Sequence, residues 1–360
     1  MPEPSFLTAT EAIELIKQKK LSRYEWIQSC IERIKERESI TQAWTFVNFD
    51  DALKQAKKFD NITSEKFGIP IGAKDIIDVS GMPTQMGTSF YQNNIPARDA
   101  ASIAISKDAG CIVLGKTVTT ELGHRYPGPT TNPHNSKHTP GGSSSGSAAS
   151  VADFMIPISF GTQTTGSIIR PAAYCGVIGY KPTYGDFDKS GILPNSPSLD
   201  TLGLMARSIE DIQLMRNIVI EEKINSNKKI QLKQIKFAFV KTPYWEDKTD
   251  ECTKNEIEKF ILELKKLNLN IEEQDLNELI IESSEIHAKL SGFEFKRSIA
   301  AERINHFSQL SDILRKGRLS DGNNMSLQTY RELQKDLENN KLRIEERLKQ
   351  YQCIITPSAP

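Results

Sequence analysis

The stretch from residue 140 to residue 171 constrains the fold more than any other part of the chain, because it contains two turns of small residues. The first turn, residues 141–147, consists of glycine and serine only. A flexible linker has a similar composition but lies between polar segments, whereas this turn is followed at once by the largely apolar segment 148–154. We therefore predict the closely packed N-terminus of a buried helix. The apolar run 156–160 then predicts a strand.

The second turn, residues 161–167, begins where the predicted strand ends. Its last residues, Thr165, Gly166 and Ser167, are able to present successive backbone N–H groups to one point, an arrangement that binds phosphates and oxyanions alike. A phosphate-binding P-loop ends in Gly-Lys-Ser or Gly-Lys-Thr, and neither turn contains that sequence. The pattern therefore argues against a P-loop and leaves an anion-binding turn.

A serine hydroxyl becomes nucleophilic only when a base takes its proton, and three interpretations of these turns differ in that base. In one, residues 142–146 form the nucleophile elbow G-x-S-x-G, which requires a preceding strand and a later histidine. The preceding residues 134–140 are polar and proline-flanked, and the later histidines, His287 and His306, lie on helix-like segments. In the second interpretation the glycine/serine turn is purely structural. In the third, the serine site depends on Lys74, in an upstream Gly-Ala-Lys-Asp segment.

Six segments of the chain together resemble the amidase signature family, and they occur in the order found in that family. They are residues 68–78 (GIPIGAKDIID), 110–116 (GCIVLGK), 132–133 (NP), 140–147 (PGGSSSGS), 161–171 and 175–185. The central glycine/serine block is highly specific, whereas outside residues 68–185 the resemblance is limited to the general layout. It implies an α/β fold, with a central mixed β-sheet covered by helices on both faces. Predicted strands that alternate with helices favour the same class. One predicted helix begins at a capping box of Ser22 and Glu25, another lies near Ala101 to Asp108, and residues 186–204 are predicted to form a crossover.

The resemblance also implies a catalytic triad of the Ser–cis-Ser–Lys type. Carried over to this sequence, the nucleophile is Ser167, the bridging serine after a cis peptide bond is Ser143, and the lysine is Lys74. The backbone N–H groups expected to bind the oxyanion are those of Thr164, Thr165, Gly166 and Ser167.

These residue types suit the roles that the resemblance assigns to them. A lysine acts as a base only when its amine is neutral, so the site must lower the pKa of Lys74 from about 10.4 by burial or by nearby dipoles. The apolar residues 69–71 precede Lys74 and are expected to deliver it into the interior. The hydroxyl of Ser143 both accepts and donates a proton, which suits a relay between lysine and nucleophile.

Residues near the predicted nucleophile depart from the commonest family pattern, Gly-Thr-Asp-Thr-Gly-Gly-Ser-Ile-Arg. Gln163 replaces the aspartate, Thr165 replaces a glycine, and Arg170 follows Ser167 by three residues instead of two. This variant resembles the malonamidase-like branch, in which the arginine faces the substrate pocket and pairs with a carboxylate. The alternative is that an internal aspartate or glutamate neutralises Arg170. The residues expected to contact substrate are Gly142, Ser144 and Arg170.

Charge and cysteine content exclude several classes of function. Lys+Arg and Asp+Glu both total 46, so no direct affinity for nucleic acid or for a membrane surface follows. The sequence has no apolar run of 18 or more residues and no signal-peptide pattern. The cysteines form no C-x-x-C pair, and His124, His134 and His138 lack the spacing of a zinc site. We therefore expect a cytoplasmic protein that requires neither a metal nor another cofactor.

We predict a single amidase-signature domain over residues 1–360, with N-terminal helices (1–65), a catalytic core (66–206) and a C-terminal half (207–360). The strand-and-proline motif 353–360 lies well before the C-terminus in the family that the chain resembles. We therefore expect a truncated C-terminal half and an exposed apolar edge at residues 353–356. Unpaired edges promote association, so aggregation or a homodimer is expected.

The function that follows is hydrolysis of a small carboxamide to carboxylic acid and ammonia through an acyl-serine. One alternative is the A subunit of a tRNA-dependent amidotransferase, which releases ammonia from glutamine and requires partner subunits. That protein usually has a different pattern at the positions of Gln163, Thr165 and Arg170. A second alternative is a truncated, inactive amidase homologue that serves as an interaction protein.

Overall fold

The computed structural model describes residues 3–62, 66–222 and 231–359. Its strands are β1 (Trp44–Val47), β2 (Pro70–Lys74), β3 (Ile112–Thr117), β4 (Ile158–Gln163), β5 (Ile178–Tyr180), β6 (Thr201–Ala206), β7 (Lys236–Val240), β8 (Asn270–Gln274) and β9 (Cys353–Ile355). Its α-helices are α1 (Ala9–Lys17), α2 (Arg23–Thr41), α3 (Phe49–Asn61), α4 (Ala101–Asp108), α5 (Ser145–Ala152), α6 (Ile169–Cys175), α7 (Ile209–Val219), α8 (Trp245–Lys248), α9 (Glu251–Lys266), α10 (Asn277–Ser298), α11 (Ala300–Asn305), α12 (Leu319–Asp321) and α13 (Leu327–Leu348). Short 3₁₀ or π turns cover Pro4–Phe6, Glu121–Gly123, Leu232–Gln234, Phe307–Gln309 and Leu314–Arg318.

The described residues form two compact units. The first contains residues 3–62, 66–222 and 298–316, and the second contains residues 231–297 and 317–359. The predicted single domain, with its divisions at residues 65 and 206, remains a prediction. None of the described helices combines the length and the apolar character needed to cross a membrane.

The first unit is built on a six-stranded sheet in the order β1-β3-β2-β4-β6-β5. Its centre is parallel, because β2 pairs in parallel with both β3 and β4. The outer pairs, β1 with β3, β4 with β6 and β5 with β6, are antiparallel. Every residue of β2, β3 and β6 is buried, and α3, α5 and α7 contact the sheet. The predicted class, α/β with a central mixed sheet flanked by helices, is confirmed.

Helix α2 begins at the capping box predicted from the sequence. Ser22 accepts a hydrogen bond from the backbone N–H of Glu25, and the Glu25 carboxylate accepts one from the backbone N–H of Ser22. Its apolar positions, Trp26, Ile27 and Cys30 among them, are buried in the core of the first unit. This pattern of burial follows from the helical spacing of those residues.

Two predicted boundaries around the second small-residue turn are wrong. Strand β4 continues through Gln163, so the turn begins at Thr164 and not at Gly161. The segment 186–204, predicted as a crossover, contains the start of β6 at Thr201. Hydrogen bonding explains both differences, because β4 and β6 pair antiparallel over their full lengths, from Ile158 with Ala206 to Gln163 with Thr201. Pairing with β6, which is distant in sequence, extends β4 beyond the point at which its local composition predicted an end.

The second unit has a three-stranded parallel sheet in the order β8-β7-β9. Alternate residues of β7 point to opposite faces: Ala238 and Val240 join one buried apolar cluster, and Phe239 joins another. Strand β9 lies at an edge of this sheet, with Cys353 exposed and Ile354 49% exposed. The predicted apolar exposure at this strand is confirmed, whereas the association expected from it remains a prediction.

Candidate active site

Lys74 is the last residue of the central strand β2 and has no exposed surface. Its strand lies between β3 and β4, and all three run in parallel. The carboxyl ends of parallel strands meet at one edge of a sheet, which is where α/β proteins place their ligands. The amine of Lys74 is therefore delivered to that edge from within the core.

Ser143 meets Lys74 at this edge. The two side chains are joined by a hydrogen bond of 2.8 Å from Lys74 Nζ to Ser143 Oγ. The peptide bond between Gly142 and Ser143 is cis, as the family resemblance implied. Helix α5 follows directly, and it packs so closely that a Cβ atom at Gly146 would lie 2.2 Å from the carbonyl oxygen of Ala43. The predicted close packing at this helix N-terminus is confirmed.

Burial is the main reason why the amine of Lys74 loses its proton readily. Burial lowers the pKa of Lys74, the negative charge of Asp200 opposes this effect, and the positive charge of Arg170 adds to it, so that the pKa falls from 10.5 to about 7. A second hydrogen bond of 2.8 Å joins Lys74 Nζ to Thr162 Oγ1. Among the described residues, no carboxylate lies within 4.0 Å of this amine. Close to neutral pH, a large fraction of Lys74 is therefore unprotonated and able to act as a base.

A second buried lysine lies near Lys74 but has a different environment. Lys116 forms an ion pair of 3.1 Å with Asp75, and neither side chain has exposed surface. Its amine also donates to Thr84 Oγ1 at 2.8 Å. Burial lowers the pKa of Lys116, and the charge of Asp75 opposes that effect. Asp75 is thus paired with Lys116, which leaves Lys74 as the buried lysine without a counter-ion among the described residues.

Ser167 lies in the short segment of residues 164–167 between β4 and α6, which we call the oxyanion loop. Its side chain is half-buried and makes no hydrogen bond to another described residue. The side chain of Gln163 closes the loop, because its Oε1 accepts from the backbone N–H groups of Ile168 at 2.9 Å and Ile169 at 3.0 Å. The structure therefore brings Lys74 and Ser143 into contact, and it does not bond Ser167 to either of them.

Arg170 connects the oxyanion loop to the turn that holds Ser143. Its Nε and Nη2 donate to the carbonyl oxygen of Gly142 at 3.0 and 2.7 Å. In the part of the chain that the structure describes, no carboxylate lies within 4.0 Å of the guanidinium, so none of these residues is the internal acidic partner of the alternative. Burial lowers the pKa of Arg170, and the charge of the exposed Arg125 adds to that effect. Among the described residues, the guanidinium of Arg170 therefore has no acidic partner at ion-pair distance.

Ser144 is fully buried, and its hydroxyl is occupied by protein backbone. Ser144 Oγ donates to the carbonyl oxygen of Thr162 and accepts from its N–H group, both at 3.2 Å. This arrangement disfavours Ser144 as the nucleophile of an elbow motif. The substrate contacts expected of Gly142 and Ser144 remain predictions.

Two residues of the site were not found from the sequence, Thr162 and Asp200. Thr162 was counted as part of a turn, but it lies in β4, where the parallel pairing with β2 brings it to Lys74. Asp200 precedes β6 and accepts a hydrogen bond of 2.6 Å from Thr164 Oγ1. The run of alternating small and apolar residues in β6 was the available signal for a strand at this point.

The family model named Amidase matches residues 25–360. The chain belongs to the amidase family. This family is the one that the glycine/serine turns and the upstream lysine resembled.

Curated relatives and solved structures agree with the family. Over 220 residues the chain is 43% identical to the A subunit of the glutamyl-tRNA(Gln) amidotransferase of Lachnoclostridium phytofermentans, covering 57% of this chain and 44% of that relative. The match thus spans less than half the length of that relative. A crystal structure of an amidase superimposes with a TM-score of 0.86 at 25% identity, covering 97% of this chain and 81% of that one. A peptide amidase in complex with the inhibitor chymostatin superimposes with a TM-score of 0.85 at 25% identity, over 98% of this chain and 84% of that one.

Proposed function

We propose that the chain is an amidase that hydrolyses a small carboxamide to a carboxylic acid and ammonia through an acyl-serine intermediate. The observation that carries the proposal is the buried amine of Lys74, with its pKa lowered to about 7, at 2.8 Å from the hydroxyl of Ser143. An unpaired buried lysine costs stability, so a functional role explains its presence better than a structural one.

In the proposed mechanism Ser167 Oγ attacks the carbonyl carbon of the amide. Its proton passes through the hydroxyl of Ser143 to the neutral amine of Lys74. The oxyanion that forms accepts hydrogen bonds from backbone N–H groups of the oxyanion loop, those of Thr164, Thr165, Gly166 and Ser167. The C–N bond then breaks, and the proton held by Lys74 returns through Ser143 to the departing ammonia. Water hydrolyses the acyl-serine in the reverse sequence of proton transfers and releases the acid.

The contacts and charge of Arg170 indicate which class of substrate the site would bind. Its Nε–Nη2 edge is used by Gly142, whereas the guanidinium charge has no acidic partner among the described residues. A carboxylate on the substrate would supply one by a bidentate contact with the other edge. The exposed Arg125 adds positive charge in the same region. We infer that short amides that bear an acid group, such as malonamic-type monoamides, bind better than neutral or long-chain amides.

A second candidate function is the A subunit of an amidotransferase, favoured by the 43% identity to that component of a glutamyl-tRNA(Gln) amidotransferase. Glutamine is itself a carboxamide that bears an acid group, so the same residues would act on it. The two candidates differ in their partners, because the amidotransferase component is expected to require other subunits for its activity.

Ammonia release from a panel of small amides, glutamine included, tests the proposal. We expect release by the wild type, none by Ser167→Ala, and substantial release by the matched variant Ser144→Ala. Loss of activity in Ser144→Ala with retention in Ser167→Ala would instead support the elbow interpretation. Release from glutamine alone, and only with amidotransferase partner subunits present, would favour the second candidate. A folded wild type that releases no ammonia under either condition would support an inactive homologue.

A further inference from the structure

Asp200 contacts the first residue of the oxyanion loop. Its Oδ1 accepts a hydrogen bond of 2.6 Å from Thr164 Oγ1. Its Oδ2 accepts from the backbone N–H groups of Asn195 and Ser196, both at 2.8 Å. One carboxylate therefore ties the oxyanion loop to a separate loop at residues 195–196.

The sheet fixes the position of Asp200. It directly precedes β6, whose first residue, Thr201, pairs with Gln163 at the end of β4. In an antiparallel pair the next residues outward, Asp200 and Thr164, also lie opposite each other. The backbone carbonyl of Asp200 accepts a further hydrogen bond of 2.9 Å from Lys189 Nζ. Thr164 is thus bonded to Asp200, whose own position is fixed by hydrogen bonds from Lys189, Asn195 and Ser196.

The two ends of the oxyanion loop are held by different chemistry. At its end, the neutral amide of Gln163 accepts from the backbone N–H groups of Ile168 and Ile169. At its start, an acidic side chain accepts from Thr164. Gln163 is neutral, whereas the commonest family pattern has an aspartate at its position. The negative charge of Asp200 raises the pKa of the Lys74 amine. Its removal therefore changes both the position of the loop and the charge near the base.

We propose that Asp200 is a positioning residue, which holds Thr164 so that the N–H groups of the oxyanion loop converge on the reacting carbonyl oxygen. The inference rests on the proposed function, because the loop matters for chemistry only if Ser167 is acylated. Asp200 touches no reacting atom in this scheme and acts through Thr164.

The charged groups around Lys74 predict a change in pH dependence that would not occur if Asp200 had only a structural role. The charge of Asp200 raises the pKa of Lys74, whereas that of Arg170 lowers it. Lys189 is the cation that faces Asp200, and the Asp75–Lys116 pair near Lys74 is internally neutralised. Loss of the Asp200 charge therefore lowers the pKa of Lys74 further, so that the amine stays neutral to a lower pH. The fall in reaction rate at acid pH, which we call the acid limb, is therefore expected to move to lower pH.

The test uses the rate of covalent labelling by a fluorophosphonate, measured against pH, because this probe reacts with an activated serine whatever the natural amide is. The variants are Asp200→Asn, Thr164→Val and the double variant, with Asp186→Asn as the matched control because its side chain is exposed and lies outside these contacts. Thr164 and Asp200 line a cavity of about 90 Å³, which is room for about three waters, so substitutions of equal size do not overpack the site.

We expect Asp200→Asn and Thr164→Val each to slow labelling about 10- to 100-fold, as for loss of a hydrogen bond to a charged group. The double variant should be no slower than Asp200→Asn alone, because Thr164→Val removes a contact that Asp200→Asn has already weakened. Asp200→Asn should move the acid limb to lower pH, and Thr164→Val should leave it in place.

Three results would overturn the proposal. One is multiplication of the two losses in the double variant. Another is a labelling rate of Asp200→Asn that falls only in proportion to its folded fraction, measured by circular dichroism, while its acid limb stays at the wild-type pH. The third is labelling of Thr164→Val at the wild-type rate. Valine preserves the shape of the threonine side chain, so this variant still tests the proposal if Asp200→Asn does not fold. A folded wild type that is not labelled, as Ser167→Ala should not be, overturns the proposed function and this inference with it.

Discussion

Replacement of Lys74 by methionine should make the protein more stable and catalytically inactive. The amine is fully buried, and no carboxylate among the described residues lies within 4.0 Å of it. A pKa lowered from 10.5 to about 7 corresponds to a cost of about 5 kcal/mol in the free energy of unfolding, at about 1.4 kcal/mol per pKa unit. Methionine has a similar length and carries no charge, so it removes this cost.

Part of the gain is offset by the hydroxyls that Lys74 contacts. Ser143 and Thr162 each lose a hydrogen-bond partner, at about 1–3 kcal/mol for a group that stays buried and less for Thr162, which water reaches. We therefore expect Lys74→Met to raise the free energy of unfolding by about 2 kcal/mol near pH 7.

The pH dependence of this gain has a definite sign. Near pH 7 the unfolded chain binds the Lys74 proton, whereas the folded chain holds a large neutral fraction, so wild-type stability rises with pH. The cost is fully present below the folded pKa of about 7 and disappears as the pH approaches 10.5, the ordinary value. The stability difference between Lys74→Met and the wild type should therefore shrink steadily over that interval.

Urea denaturation followed by tryptophan fluorescence measures this difference. Trp26 and Trp44 lie in the first unit and Trp245 in the second, so a Trp245→Phe background restricts the signal to the unit that contains Lys74. The matched control is Lys116→Met, which leaves the buried carboxylate of Asp75 unpaired and should cost about 3–5 kcal/mol. A Lys74→Met variant that is destabilised as much as Lys116→Met, by an amount independent of pH, would refute the reasoning.

Further predictions concern pH, substrate charge and association. The value of kcat/KM for ammonia release should rise with pH through about 7, because Lys74 must be neutral to act; a profile that is flat between about pH 5 and 9 would contradict this. Arg170→Ala should raise KM for acidic amides about 10- to 100-fold and change it little for neutral ones, and lysine should restore only part of the loss because it lacks the planar fork. A fall in kcat common to both substrate classes would report the contacts of Arg170 with Gly142 instead. The exposed Ile354 on the edge strand β9 should promote a dimer or aggregates that Ile354→Lys reduces in size-exclusion chromatography; a wild type that elutes as a stable monomer would contradict this.

The positions of helices and buried strands could be predicted wherever the signal is local. Ser22 and Glu25 mark the start of α2, and the prediction of helix α4 at Ala101–Asp108 matches the structure. Lys74 and Ser143 are far apart in sequence, and they were brought together by resemblance to a family, not by periodicity or composition. The contact between their side chains is present in the structure.

The parts that could not be predicted depend on contacts between distant strands. Thr162 reaches Lys74 only because β4 continues beside β2, and Asp200 reaches Thr164 only through the pairing of β4 with β6. Local composition contains no information on such a register. The backbone partner of Arg170 was also missed, because a carbonyl oxygen leaves no mark in the sequence.

The pairing of β2 with β4 also has a consequence for the order of folding. The side chain of Ser159 donates to the carbonyl oxygen of Gly72 across a separation of 87 residues. Contacts this distant form slowly, since a long stretch of chain must be ordered before they are made. Lys74 ends β2 and Ser143 precedes β4, so a refolding chain is expected to form local secondary structure before it brings these two side chains together. A chain in which this pairing is incomplete therefore lacks the contact between Lys74 and Ser143, on which the proposed activation of Ser167 depends.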